Sequence, residues 1–169
     1  TAQRRVEQHH FAIRKRTLDF DDVMNKQREI IYGLRKEALL SENPHDVLFG
    51  IIEQVVESEV NNAAAPDESR RGSEKDGFNA GKLVAYLNLT FPLEFKAEEL
   101  TAGLQDGRLV DPDALTLQIV ERIENAYGDR NAGLPEDQVQ YLERHTVLEA
   151  IDRLWQEHLY AMDNLRSSM

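Results

Sequence analysis

The 169-residue chain has no cysteine and a single tryptophan. The absence of cysteine excludes disulfides, thiolate metal sites and cysteine nucleophiles, and it fits a reducing compartment such as the cytoplasm. No apolar run approaches the ~20 residues that a membrane-spanning helix needs, and no signal-peptide pattern is present. Because the sequence begins at Thr1 rather than at a methionine, we expect it to be a piece of a longer protein.

Familiar catalytic motifs are also absent. The sequence has no glycine-rich phosphate loop, no Gly-x-Ser-x-Gly elbow, no His-Glu-x-x-His motif and no calcium loop. Its histidines lack the i,i+4 spacing of a metal site, and the adjacent His9 and His10 point about 100° apart on a helix. A hydrolase that uses His158 with Glu157 or Asp163 is disfavoured, because these neighbours do not share one helical face. The sequence therefore predicts no catalytic residue, no cofactor-binding residue and no metal ligand.

The net charge of -11 is unevenly distributed along the chain. Residues 1–40 hold nine Lys or Arg against six acidic residues, whereas residues 41–134 hold eight against eighteen. Nucleic-acid binding rests on clustered cations that contact phosphates. Because the acidity is concentrated in the middle of the chain, nucleic acid is not expected to be the main partner.

Hydrophobic periodicity predicts an all-α chain in three parts. Residues 1–40 repeat apolar side chains at helical spacing without proline, which predicts one helix about 60 Å long. Residues 41–134 are expected to form a small inserted helical unit, and residues 135–169 a returning helix that runs antiparallel to the first. We expect Trp155 and Met162 of the returning helix to pack on the first helix, whose predicted apolar stripe includes Ile13, Phe20, Val23, Met24, Ile30 and Ile31.

The middle segment is predicted to contain three helices with loops. Asn43-Pro44 and Asp111-Pro112 each combine a helix cap with a proline at the first helical position. A short helix is expected around Ala80 to Thr90, with "LEF" after Pro92 running extended. Residues 61–77 have the composition of a loop or linker. After Pro135, apolar residues at steps of three and four form a coiled-coil-like seam: Tyr141, Leu148, Ile151, Trp155, His158, Met162 and Leu165.

The polar face of the first helix has two interpretations. Lys15 with Asp19, and Asp22 with Lys26, are i,i+4 pairs that support a helix by a few tenths of a kcal/mol. Alternatively, Asp21, Asn25 and Arg28 lie on roughly one side and could contact other helices or domains.

Two segments resemble the SecA family of ATP-driven motors for bacterial protein secretion. "AQRRVEQHHFAIRKRTLDFDDVMNKQREIIYGLR", from Ala2 to Arg35, is similar to the long helix of the family's helical scaffold domain. "TVLEAIDRLWQEHLYAMDNLR", from Thr146 to Arg166, is similar to the first helix of its two-helix finger. By position, residues 41–134 correspond to the helical wing domain.

The resemblance implies a role without an activity of its own. In the family, the long helix touches the nucleotide-binding and preprotein-binding domains, and the finger enters the mouth of the SecYEG channel at the inner membrane. ATP, magnesium, the Walker motifs and the fingertip are expected to belong to residues outside this chain, which continues from Arg166 as "SSM". The residues expected to make interdomain or helix-helix contacts are Asp21, Asp22, Asn25, Arg28, Trp155, His158, Met162, Asp163 and Arg166.

A different function would also fit the heptad-like seam. A freestanding coiled-coil dimerisation module would use the same spacing and would leave apolar faces for a second chain. A concentration-independent monomer in sedimentation would contradict this alternative. The resemblance over two ordered segments favours the motor scaffold, in which the chain transmits motion from the nucleotide-binding domains towards the channel.

Overall fold

The computed structural model describes residues 2–66, 77–102, 104–105, 107–109 and 111–168. Six helices and one very short hairpin follow one another in these ranges. The predicted all-α class is therefore confirmed. The chain divides into two compact units, one formed by the residues up to Pro44 together with those from Leu142 onward, and the other by His45–Tyr141.

The first unit is built from two long helices, α1 (Ala2–Leu40) and α6 (Glu136–Ser168), the latter contributing its part from Leu142 onward. The predicted span of the first helix is confirmed. No proline interrupts α1, and its residues are predominantly good helix formers, so the chain continues as one helix. Only one stripe of each helix is buried within this unit, as expected for two helices that pack along a single seam.

The second unit contains α2 (Pro44–Ala64, from His45 onward), α3 (Ala80–Thr90), the one-turn α4 (Ala97–Leu100) and α5 (Pro112–Asn131). The predicted cap at Asp111 is confirmed, because its Oδ1 accepts from the Ala114 backbone N–H at 2.9 Å. Asn79 caps α3 in the same way through Lys82 N–H, at 3.1 Å. Pro112 then fits the first turn of α5, where a missing N–H costs nothing.

A single hydrophobic core holds the second unit together. Its centre consists of side chains with at most 1% of their surface exposed, namely Val56, Val60, Ala63, Leu83, Leu87 and Ile119. Each helix contributes at intervals of three or four residues, so one face of every helix is turned inward. Phe49, Phe78 and Phe95 close the periphery of the same cluster.

A short hairpin was missed by the sequence-based prediction of helices and loops. Leu104–Gln105 (β1) pairs antiparallel with Arg108–Leu109 (β2), with Leu104 opposite Leu109. Gly107 has a φ of 77°, in the region that glycine enters without steric cost. The Asp-Gly pair between two short apolar stretches is a hairpin signal that could have been used.

The segment "LEF", expected to run extended, is not part of a strand. Residues 91–96 form bends and irregular chain. The Asn88 side chain satisfies the backbone of Phe95 in both directions, since Nδ2 donates to Phe95 O (3.1 Å) and Phe95 N donates to Oδ1 (2.8 Å). These bonds anchor the irregular segment to α3.

Candidate functional site

The face of α1 that packs in the first unit follows a heptad-like rhythm. Its most buried positions recur at steps of four and three and are Phe20, Met24, Gln27, Ile31, Leu34 and Ala38. Val23 and Ile30, which were predicted to belong to the stripe, are 48% and 70% exposed. Each lies one residue before a seam position, and one residue turns a helix by about 100°, so both side chains point away from the seam. The side chain of Ile13 lies outside the described part of the chain.

The opposing face of α6 confirms most of the predicted seam. Val147 and Ile151 are buried, while Leu148, Trp155, His158 and Met162 are half-buried. Tyr141 and Leu165, the predicted ends of the seam, are exposed. Trp155 lies on the seam, but part of its side chain remains accessible.

Polar contacts join the two helices at several levels of this seam. His158 Nε2 donates to Gln27 Oε1 at 2.8 Å, and Arg144 Nη2 donates to the Ser41 carbonyl at 2.6 Å. From Gln27 to Ser41, the residue just after α1, the partner moves back by the same number of residues along α6, from His158 to Arg144. This relation defines an antiparallel pair with a fixed register.

A bidentate ion pair lies between these two contacts along the seam. Arg35 Nε and Nη2 donate to Asp152 Oδ1 and Oδ2 at 2.8 and 3.3 Å. The hydrogen bond from Arg35 lowers the pKa of Asp152 below its usual value, and the same bond raises the pKa of Arg35. Both side chains are nearly half exposed, so water screens the attraction and the pair contributes little to stability.

Trp155 adds an aromatic contact to this seam. Its ring stacks on the His158 imidazole with centroids 5.5 Å apart and planes 25° from parallel. With Tyr32, Leu39 and Asp152, it also lines an open groove of about 530 Å³. The groove combines an apolar floor with the Arg35–Asp152 pair at its edge, a composition that suits protein side chains better than a small reactive substrate.

The predicted contact residues fall into two sets. Trp155, His158 and Met162 lie on the seam, whereas the remaining six are exposed, namely Asp21, Asp22, Asn25, Arg28, Asp163 and Arg166. Arg28 Nη1 donates to Asn25 Oδ1 at 3.0 Å, within α1 itself. Contacts of these exposed residues with other domains stay a prediction.

Sequence reasoning missed Gln27, Arg35, Arg144 and Asp152. Gln27 could have been found, because it occupies a heptad position between Met24 and Ile31. The other three flank the seam, and their pairing depends on the register, which periodicity alone does not supply.

Metal binding and membrane crossing each place a demand on the described residues. Within them, no group of three or more His, Cys, Asp and Glu side chains is arranged to hold a metal ion. Likewise, none of the helices described has the length and apolar character required to cross a membrane.

The fold defines a class of helical segment, a two-helix scaffold that carries a small helical unit between its helices in sequence. Residues 1–169 match the family described as the SecA Wing and Scaffold domain. The chain is 35% identical over 168 residues to protein translocase subunit SecA of Stenotrophomonas maltophilia (strain R551-3), covering 99% of this chain and 18% of that protein. It is 36% identical over 167 residues to the same subunit of Heliobacterium modesticaldum (strain ATCC 51547 / Ice1), covering 98% and 18%.

A third relative is SecA of Beutenbergia cavernae, 32% identical over 169 residues, covering all of this chain and 17% of the relative. The chain belongs to the SecA family and is its wing and scaffold segment. The resemblance read from the sequence is confirmed. The chain spans less than a fifth of the length of these relatives.

Proposed function

We propose that this chain is the scaffold and motion-transmitting segment of a SecA-type protein translocase. In this function it binds no nucleotide itself. It links nucleotide-binding domains, where ATP and magnesium act, to the part of the motor that faces preprotein and the SecYEG channel. The intact protein would then work in the cytoplasm and at the membrane surface.

The observation that carries the proposal is the fixed register of α1 and α6. Hydrogen bonds at Gln27–His158, Arg35–Asp152 and Ser41–Arg144 act at successive levels, and apolar side chains fill the seam between them. A displacement of one helix along its axis therefore has to move the other. Such firm pairing is what a segment needs to carry a displacement between distant sites.

The exposed apolar side chains of α1 support the same proposal. Val6, Phe11, Leu18 and Ile30 are each more than half exposed on one helix. A soluble helix does not ordinarily leave so many large apolar groups in water, and a longer protein offers surfaces to cover them. The same faces would serve a freestanding dimer, but the family and the share of its relatives' length that the chain spans favour contacts within one motor.

The proposal is tested with Trp155→Ala in the full-length protein. Truncation removes the stacking partner of His158 and one wall of the groove, and loosens the seam. Fully buried aromatics cost ~3–5 kcal/mol when truncated to alanine, and the partial exposure of Trp155 places its cost below that range. We expect nucleotide affinity to stay near normal while transported polypeptide per ATP hydrolysed falls, measured in membrane vesicles that contain the channel.

Tyr160→Ala provides the matched control on the same helix, because Tyr160 is 75% exposed. It should leave both nucleotide affinity and the transport ratio unchanged. A Trp155→Ala protein that transports as much polypeptide per ATP as the wild type would contradict the transmitting role. Saturable ATP binding by residues 1–169 alone, measured calorimetrically, would contradict the expectation that nucleotide binds elsewhere.

A further inference from the structure

Gln27 interrupts an otherwise apolar row on α1. The seam positions on either side of it are Met24 and Ile31, and the described row continues with Leu34 and Ala38. An apolar residue here would bury more hydrophobic surface, so the amide is not explained by packing alone. Its partner on α6 is also polar, since His158 lies between Trp155 and Met162 in the opposing seam.

Gln27 and His158 are hydrogen-bonded to each other in this alignment. The Gln27 Oε1 atom can only accept a hydrogen bond, so His158 Nε2 carries the proton in the 2.8 Å contact. Trp155 stacks on the imidazole and limits the orientations available to the ring. The polar pair is thus half-buried, hydrogen-bonded and held by an aromatic neighbour.

We propose that Gln27 and His158 form a register-selecting pair, which fixes how far α1 and α6 are slid along each other. Apolar seams tolerate sliding by one heptad, because apolar side chains again meet apolar side chains. A single polar pair does not, since a slide leaves each polar group against an apolar partner. In this chain, a slide by seven residues would bring Gln27 opposite Ile151 in one direction and opposite Leu165 in the other. Either alignment separates the amide from His158.

The flanking polar contacts are less specific for one register. Arg35 and Asp152 carry exposed, flexible charges that can reach partners over a range of positions. Arg144 donates to a backbone carbonyl, which every residue of a helix end offers. The pair Gln27–His158 is the one among these contacts that combines seam positions with side-chain specificity.

The test measures register directly by disulfide cross-linking in the full-length protein, with any cysteine outside residues 1–169 replaced. The chain itself has no cysteine, so each introduced pair is unambiguous. Ala38→Cys with Val147→Cys reports the observed register, because the contacts of Gln27 with His158 and of Ser41 with Arg144 place these two residues opposite each other. Ile31→Cys with Val147→Cys reports a slide by one heptad, because Ile31 and Ala38 are about 10 Å apart along α1.

The decisive variant is Gln27→Leu with His158→Leu. Without the polar pair, both alignments present apolar contacts, and the ratio of the shifted to the native cross-link should rise about five- to tenfold, the factor of one ordinary hydrogen bond. The control Lys26→Leu with Glu157→Leu adds the same apolar groups at adjacent exposed positions and should leave the ratio unchanged. An unchanged ratio in the seam variant would overturn the proposal.

Exchange of the two residues distinguishes a specific hydrogen bond from mere packing volume. Gln27→His with His158→Gln keeps both groups and should return the cross-link ratio to the wild-type value. If the ratio stays shifted in the exchanged variant, the hydrogen bond does not select the register. Should the double leucine variant fail to accumulate, Gln27→Met provides the same comparison, and an unchanged ratio there also overturns the proposal.

The result is independent of the transmitting role, because the cross-links are scored without nucleotide, channel or preprotein. A register change accompanied by normal transport per ATP would support the pair and contradict the proposed function. An unchanged register in Gln27→Leu with His158→Leu, together with uncoupled transport in Trp155→Ala, would contradict the pair and support the proposed function.

Discussion

The two units of this chain are stabilised in different ways. In His45–Tyr141, four helices enclose a core whose central residues, such as Val56, Val60 and Leu87, have no exposed surface. In the paired helices, much of the seam is only half-buried, and polar side chains bridge it at intervals. The first arrangement stabilises itself, whereas the second leaves large apolar side chains for other parts of a protein.

The two units differ in packing although their sequence patterns look alike. Both units repeat apolar residues at helical spacing, and both read as amphipathic helices. In the core unit, several helices share each buried side chain, so each residue contributes strongly. In the paired helices, each seam residue has one neighbouring helix, so stability depends on many small contributions along the length.

The largest expected effect is the loss of a central core residue. Leu87→Ala should destabilise the unit His45–Tyr141 by ~2–5 kcal/mol, through lost burial and a residual cavity. Amide hydrogen exchange in α2, α3 and α5 should accelerate together, measured as a function of denaturant. Leu89→Ala, on the same helix but 87% exposed, should change exchange by less than ~0.5 kcal/mol. Equal effects from the two substitutions would contradict the described core.

A smaller effect is expected at the hairpin turn. Gly107→Ala places a side chain at a φ of 77°, and the strain should cost ~1–2 kcal/mol. Open space surrounds the added Cβ, so the cost arises from the backbone alone. Thermal unfolding of the chain checks this value. Gly133→Ala, where the added carbon also meets nothing and φ is not positive, should be neutral or slightly stabilising.

Loss of the Arg122 clamp should have a weaker effect. Arg122 donates to Glu99 Oε2 and to the Glu94 carbonyl, both at 2.6 Å, and lies 4.7 Å over the Phe95 ring. Arg122→Met keeps the aliphatic stem but removes the cation-π contact, which is worth about 0.5–1 kcal/mol at such sites. Exchange should accelerate in α4 and residues 91–96 and not in α2. Gln118→Met on the exposed side of α5 is the control, and identical exchange in both variants would count against the clamp.

The smallest effect concerns the ion pair of the helix seam and depends on pH. Because Arg35 lowers the pKa of Asp152, the pair stabilises the folded state above the carboxyl's unfolded pKa. This contribution disappears as the pH falls through the lowered folded-state pKa. Asp152→Asn should therefore reduce stability slightly at neutral pH and not at strongly acidic pH, measured by thermal unfolding at low salt. Glu149→Gln, an exposed change one turn away, controls for loss of charge, and a pH-independent difference would contradict the assignment.

The helices could be predicted because their signals are local. The span of residues 1–40, the cap at Asp111 and the short helix from Ala80 to Thr90 follow from periodicity, proline placement and capping chemistry. The missed hairpin is also local, but two-residue strands are too short to show alternation. The sequence-based prediction therefore assigns the surrounding segment to a loop.

The site was predictable only in part, because it depends on register. Trp155, His158 and Met162 follow from their own helix, but the identity of their neighbours depends on how α1 and α6 are aligned. Ile30 illustrates the limit of periodicity. Ile30 and Ile31 are adjacent and equally apolar, and only contact with α6 decides which of them faces the seam.

The row of polar contacts along the seam also has a mechanical consequence. From Gln27 to Ser41 the contacts extend over about 21 Å of helix, at ~1.5 Å per residue. Contacts spread along one line resist shear, since a sliding force acts on all of them together. They resist splaying less, because the pair can open from one end and break its contacts one after another. The paired helices should therefore be stiff against sliding along their axes and compliant against separation from one end.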